Sequence, residues 1–328
     1  MSRPVPVPLL YFGKLPSRGD FVRSPHAPVL IQTLDRWLAG GVEALATDAR
    51  WKLLYDQASP VDFAFLGSRS PRGMVGHMIA SGDLSGRRFP FITAGVLDVD
   101  DPGSYLARSP LALAPAWRSL QASARRAHSA EDAAALLLDM GQATVEVDGA
   151  AEGHEADFQA FLEQQSVGML ETILLGAGHD MSLRTLMLGL GLLLHPVPAS
   201  GVQRLDKGLT LPLPADPLYQ PLVATLWMDL VSGFLTRADF ELALFLQCAH
   251  DQTVSLHIGF EGASPRALRA LMDPDYLGEV FVDTRRADWV EDFVEQDYAV
   301  KKLSSYLKQP GLSLKQARDT FTEAFLGS

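Results

Sequence analysis

The sequence predicts an α/β protein of the α+β kind: a mostly antiparallel sheet flanked by helices in the N-terminal part, and a mainly helical C-terminal part containing a β-hairpin. Three apolar runs, 61–66, 74–81 and 89–97, follow one another across turns too short for parallel crossovers. From Ser104 the apolar spacing becomes helical and stays so to Met140. Near residue 250 two apolar runs, 240–247 and 253–260, flank "CAHDQ", as the strands of a hairpin do.

Each element has a local reason. "VPLLYF" (7–12) reads as a strand. Over 27–45, Val29, Leu30, Leu34, Trp37 and Leu38 fall near helical spacing, with Pro28 in the first turn. Gly40 and Gly41 are expected to weaken or end that helix. "GSRSPRG" and "GDLSGRR" are turns between the three strands. Between 104 and 140 two helices are expected, the second capped by Ser129 with Glu131 and Asp132 in its first turn. After a break at 141–153, helices follow at about 155–175 and 181–194. Residues 196–221 are proline-rich and read as a linker or an extended surface segment. A helix is expected from 222, and after the hairpin Ser264 and Pro265 open another. Asp288 is expected to cap a helix reaching Leu307, with five acidic residues before Lys301. Ser313 and Gln316 form a capping-box pattern. The expected organisation is an N-terminal α/β domain at 1–148, a helical segment at 149–195, the linker at 196–221 and a mainly helical extension at 222–328.

With 328 residues, 47% apolar and 20% charged, the chain can bury a sizeable core. Its one cysteine, Cys248, excludes an internal disulfide framework, and a reducing cytoplasmic setting is expected. "MSRPVPVPLL" lacks the apolar core of an export signal, and "LMLGLGLLL" (186–194) is too short to span a bilayer, so no membrane insertion is expected. The net charge of −11 is uneven. Residues 1–100 carry 11 Lys and Arg against 9 Asp and Glu, 101–200 carry 5 against 12, and 201–328 carry 12 against 18. No basic stripe is present, so nucleic acid is not an expected partner, and an anionic partner would meet the first hundred residues.

The usual signatures of catalysis are missing. There is no P-loop, no GxSxG elbow and no HExxH; "GLGLLLH" lacks the third glycine of a dinucleotide fingerprint. Cys248 reads as a core residue. His250, Asp251 and His257 read as turn and strand residues, and Asp98, Asp100 and Asp101 as a solvated turn. No catalytic residue, metal or cofactor is therefore expected. "SGDLSGRRFP" (81–90) is the most suggestive segment: two glycines beside Arg87 and Arg88 could cradle a phosphate or phosphopeptide, as a binding module or an enzyme would.

That segment has a counterpart near the N-terminus, "YFGKLPSRGDFVR". Phe12, Gly13, Lys14, Leu15, Pro16, Gly19, Asp20 and Phe21, then Asp35 and Trp37 on the helix, then Gly86, Arg87, Arg88, Phe89 and Pro90, closely resemble the N-terminal domain of the TagF (ImpM) family over about residues 8–140. The resemblance implies a cytoplasmic, non-enzymatic accessory protein of bacterial type VI secretion. It implies a post-translational repressor that binds the system's forkhead-associated scaffold, or baseplate or sheath components. On this reading Gly13 and Gly19 bend the chain, and Phe12 and Phe21 anchor it in the core. Asp20 pairs with Arg87 or Arg88, Lys14 and Arg18 stay exposed for a partner, and Lys14, Arg18, Asp20, Arg87 and Arg88 together are the expected partner-binding residues.

Overall fold

The computed structural model describes residues 4–200, 205–236 and 239–327. Its strands are β1 (Val5–Pro8), β2 (Leu10–Gly13), β3 (Val22–Arg23), β4 (Val61–Gly67), β5 (Arg72–Ile79), β6 (Phe91–Asp98), β7 (Thr144–Val147), β8 (Gly208–Leu213), β9 (Glu241–Cys248), β10 (Val254–Gly259) and β11 (Phe281–Asp283). Its helices are α1 (Pro28–Leu45), α2 (Trp51–Asp56), α3 (Pro102–Ser129), α4 (Ala134–Met140), α5 (Glu155–Gln164), α6 (Val167–Gly176), α7 (Leu183–Leu194), α8 (Pro196–Ser200), α9 (Gln220–Leu235), α10 (Pro265–Met272), α11 (Leu277–Val280), α12 (Glu291–Val294), α13 (Tyr298–Leu307) and α14 (Leu314–Leu326). β1 and β7 form a small antiparallel ribbon. The other strands form one sheet in the order β11-β8-β10-β9-β4-β5-β6-β2-β3. All neighbours in it are antiparallel except β11 and β8.

The centre of this sheet joins the two halves of the chain. β4 pairs with β9 from Val61 against Gln247 to Gly67 against Glu241. Alternation along the two strands then supplies two cores. Phe63, Phe65, Ala243 and Phe245 face α1 and α10, whereas Ala64, Leu66, Leu242 and Leu244 face α3 and α9. Trp37 is the hinge-pin of the first core. Its ring lies 5.3 Å from Phe63, 5.1 Å from Phe65 and 6.4 Å from Phe245, and its indole N–H donates to the Ser264 carbonyl at 3.3 Å.

The mixed fold, the strands at 61–97 and the hairpin agree with the sequence reading. Several details differ. "VPLLYF" is split between β1 and β2, which belong to different sheets. Gly40 and Gly41 do not end α1; they let α10 approach, and a β-carbon on Gly41 would sit 2.4 Å from the Leu268 side chain. Ser129 closes α3 rather than capping the next helix, where Asp132 accepts from the Ala134 amide instead. The expected helix at 155–175 breaks at Gln165, and the one expected from Asp288 restarts at Tyr298 with Asp297 as its cap. The capping box at Ser313 and Gln316 is present. The stretch read as a linker, part of which (201–204) lies outside the described residues, contains the buried strand β8. Prolines at 212 and 214 did not keep it out of the sheet: Leu209, Leu211 and Leu213 supply an apolar face, and the Pro212 carbonyl accepts from Trp227.

Helices α3, α5 and α9 are joined by a buried cation. Arg108 on α3 donates to Glu155 on α5 at 2.7 Å and to Asp229 on α9 at 2.6 Å, and lies 4.3 Å over the Phe158 ring. Arg318 on α14 approaches the other oxygen of Asp229 at 3.8 Å. Arg108 and Asp229 are both buried, so removing either alone leaves an uncompensated buried charge, whereas Glu155 is half exposed and screened.

One buried group links the fold to pH. His257 on β10 meets Thr210 on β8 at 2.9 Å, and burial pushes its imidazole down to about 4. The neutral form is thus the folded form. Above the unfolded value of about 6.5 its contribution is complete, and it is lost as pH falls toward 4. Linkage predicts a loss of about 2 kcal/mol from this group between pH 7 and pH 5. Urea unfolding at the two pH values should show a smaller difference in His257→Gln than in the unaltered chain; equal differences would contradict this assignment.

Candidate functional site

The two motif segments meet at the β2–β3 end of the sheet. β2 pairs with β6 so that Gly13 lies opposite Phe91. Gly13 takes a φ of +132°, and a β-carbon there would fall 1.9 Å from the Pro90 carbonyl oxygen. Only glycine permits this approach, which brings "GKLPSRGDF" against "GDLSGRRFP".

The centre of the site is Asp83, whose side chain is fully buried. One carboxylate oxygen accepts from the Ser85 amide (3.0 Å), the Ser85 hydroxyl (2.7 Å) and the Arg87 amide (3.0 Å). The other accepts from Arg87 Nε at 2.7 Å and lies 3.0 Å from Lys14 Nζ. Burial acts to raise this carboxyl, but the bonds from Ser85, Lys14 and Arg87 outweigh it and hold it well below the usual carboxylate range. Arg87 also donates to the Gly19 carbonyl at 2.9 Å, and the Leu84 amide to the Arg18 carbonyl at 2.8 Å. Ser81 Oγ donates to the Lys14 carbonyl at 2.7 Å, and Tyr55 Oη to the Ser81 carbonyl at 2.9 Å. Arg88 forks onto both oxygens of Asp56 on α2 at 2.7 and 2.6 Å.

These bonds decide what the loop can do. The amides of residues 83 to 87 all have protein acceptors: the Arg87, Arg18 and Asp83 carbonyls and the Asp83 carboxylate. The position a bound phosphate would take is filled by the chain's own carboxylate. Residues 84–87 face outward, Leu84 74% exposed at the tip and the Arg87 side chain 60% exposed beside it, with Gly86 at φ +79° completing the turn.

The sequence reading is corrected at several residues. Asp20 does not pair with Arg87 or Arg88; it is exposed and accepts from the Phe21 amide at 2.8 Å, because Asp83 and Asp56 already hold the two arginines. Lys14 is buried against Asp83, not exposed. Phe12 is buried as expected, but Phe21 is 44% exposed, stacked on Phe12 at 5.6 Å and edge-on to the buried Phe89 at 4.8 Å, with Lys14 Nζ 4.9 Å from its ring. Gly19 and Pro16 are exposed, and Gly19 shows no close approach. Pro90 is buried, and Trp37 lies in the core described above. Arg18 is half-buried, and its guanidinium makes no ion pair among the described residues. Asp83 and Leu84 were missed by sequence reasoning. The usable signal was Asp-Leu-Ser-Gly: an Asx-type turn with a large apolar residue where a polar one is usual.

Elsewhere, Cys248 is exposed at the end of β9 rather than in the core. Among the described residues no group of three or more His, Cys, Asp or Glu could hold a metal ion, and no helix is long and apolar enough to cross a membrane.

This edge, a buried Lys–Asp pair beneath an apolar loop tip, lies within a recognisable class of domain. Residues 11–141 match the family model of the TagF N-terminal domain, described as type VI secretion system-associated. The match lies in the N-terminal part of the chain and covers less than half of its length. Among solved structures, the PA0076 protein of Pseudomonas aeruginosa PAO1 is similar to it at 23% identity with a TM-score of 0.35, over 41% of this chain and 61% of that one. The chain therefore spans less than two thirds of that relative's length. No curated protein matches the chain.

The geometry predicts that Asp83→Asn leaves the Lys14 ammonium buried without its counterion, lowering Tm by several degrees and opening the loop. Because the folded carboxyl is held low, its contribution is complete above about pH 4 and lost as pH falls below it. Amide exchange at Ser85 and Arg87 should quicken in the variant, and its stability should fall less on acidification. Unchanged exchange at both amides would contradict the role given to Asp83.

Proposed function

We propose that this protein is a non-enzymatic, cytoplasmic accessory protein of type VI secretion. It acts as a post-translational negative regulator that docks on the forkhead-associated scaffold of the apparatus, with baseplate or sheath components as the other candidates. The observation that carries the docking reading is Leu84. A large apolar side chain stands 74% exposed on a loop fixed by Asp83, with Arg18 and Arg87 beside it and the exposed Phe21 face nearby. A pre-ordered apolar tip with basic neighbours costs little ordering entropy on binding, and it favours an acidic partner surface with an apolar pocket. Lys14, Arg18, Asp20, Arg87 and Arg88 were expected as contact residues; on this geometry Lys14 and Arg88 act mainly by shaping the loop.

A phosphate- or phosphopeptide-binding role, or an enzyme built on the Gly-Arg-Arg loop, finds less support. The donors such a role needs are already satisfied by Asp83 and by the Arg18, Asp83 and Arg87 carbonyls.

The test uses the full chain and the purified scaffold. Leu84→Asp and Arg18→Glu alter outward groups and should leave Tm nearly unchanged. Each should weaken capture of the scaffold at least about 10-fold, the size expected at an interface hot spot. Capture equal to that of the unaltered chain in both variants would place docking elsewhere.

A further inference from the structure

A second surface, on the helical extension, has a chemistry of its own. Two open concavities of about 660 and 370 Å³ adjoin where α5 gives way to α6, beside the start of α9 and the turn before α14. Gln165 and Tyr219 line both. The walls are largely apolar, and two of their side chains are displayed to solvent: Met169 at 49% and Leu218 at 77%. Exposed apolar residues flanking a groove mark a binding surface more often than scattered ones do.

Charge and hydrogen bonding narrow the occupant. Neither concavity is lined by Lys or Arg, and the charged residue in the lining is Asp157, exposed and without an ion pair among the described residues. Asp216 stands two residues before Leu218; Glu163 adjoins Gln164 but is paired with Lys315 at 2.6 Å. The stretch 101–200 as a whole carries 5 basic against 12 acidic residues. Gln165 Oε1 is shielded from solvent and has no hydrogen-bond donor among the described residues. The α6 N-terminus offers no compensating anion site. Its first amides are used by the Leu312 and Pro310 carbonyls and by Ser166 Oγ. The lining therefore lacks Lys and Arg and offers apolar area.

We infer that this groove docks an amphipathic helix of a partner protein, its apolar face against Met169, Leu218 and Tyr219 and its flanks carrying Lys or Arg toward the exposed Asp157. The inference stands apart from the loop at Leu84: it concerns a different face, and its test does not use the scaffold.

The probe is a labelled Leu/Lys peptide with helical periodicity, titrated into the full chain beside the same peptide with Glu in place of Lys. The Leu/Lys peptide should bind at least about 10-fold more tightly than the Leu/Glu peptide. Leu218→Asp should weaken it at least 10-fold although the substitution adds negative charge, which separates groove binding from general attraction to an acidic protein. Asp157→Lys should narrow the preference between the peptides while leaving Tm unchanged. Equal binding of the two peptides, binding of neither, or binding unaffected by Leu218→Asp would overturn the inference. So would dimerisation in sedimentation that Leu218→Asp abolishes, which would assign the groove to a second copy of this chain.

Discussion

The antiparallel pairing of β4 with β9 is the constraint on which the remaining structure depends. It makes one sheet from strands 180 residues apart, and by strand alternation it sets α1 over α10 on one face and α3 over α9 on the other. Trp37, Trp117 and Trp227 each spend their indole N–H on a carbonyl of a different segment, Ser264, Phe63 and Pro212, so the large side chains that fill the cores also fix register. Leu10 and Phe12 of β2 share the core of α1, which ties the β2–β3 end of the sheet to this central pair. A loop can then be displayed there in one conformation.

That display rests on an internal ion. Asp83 occupies the centre of a Gly-rich turn that, seen as a sequence, resembles an anion cradle, and it satisfies the donors a phosphate would need. Lys14 is drawn inward to balance it. Lys14, Asp83 and Arg88 of the two motifs are architecture, and the outward surface is an apolar tip with the exposed Arg87 beside it. Glycine at 13 and Asp at 83 are thus required for the same reason, close approach of two backbones with a charge between them.

Much of the fold was legible from local chemistry. The three strands at 61–97, the hairpin around "CAHDQ" and the box at Ser313 are set by alternation, turn residues and capping, all of which act over a few residues. What was not legible is non-local. β8 sits in a proline-rich stretch and is a strand because β10 and β11 pair with it, an interaction no window of sequence contains. Gly40 and Gly41 read as helix weakeners because α10, which needs their bareness, lies more than 220 residues away. In the site, the two arginines were visible but their partners were not. Asp56 and Asp83 outcompete Asp20 through geometry that only the folded chain defines.

The fold thus presents two faces with opposite character: a basic-flanked apolar tip at the N-terminal edge and an acidic apolar groove on the extension. The claim that matters most is that the loop tip is the face used on the secretion apparatus. Hydrogen-exchange footprinting of the full chain with the purified forkhead-associated scaffold tests it most directly. The account predicts new protection confined to 18–21 and 83–88, and protection only at other segments, with these two unchanged, would contradict it.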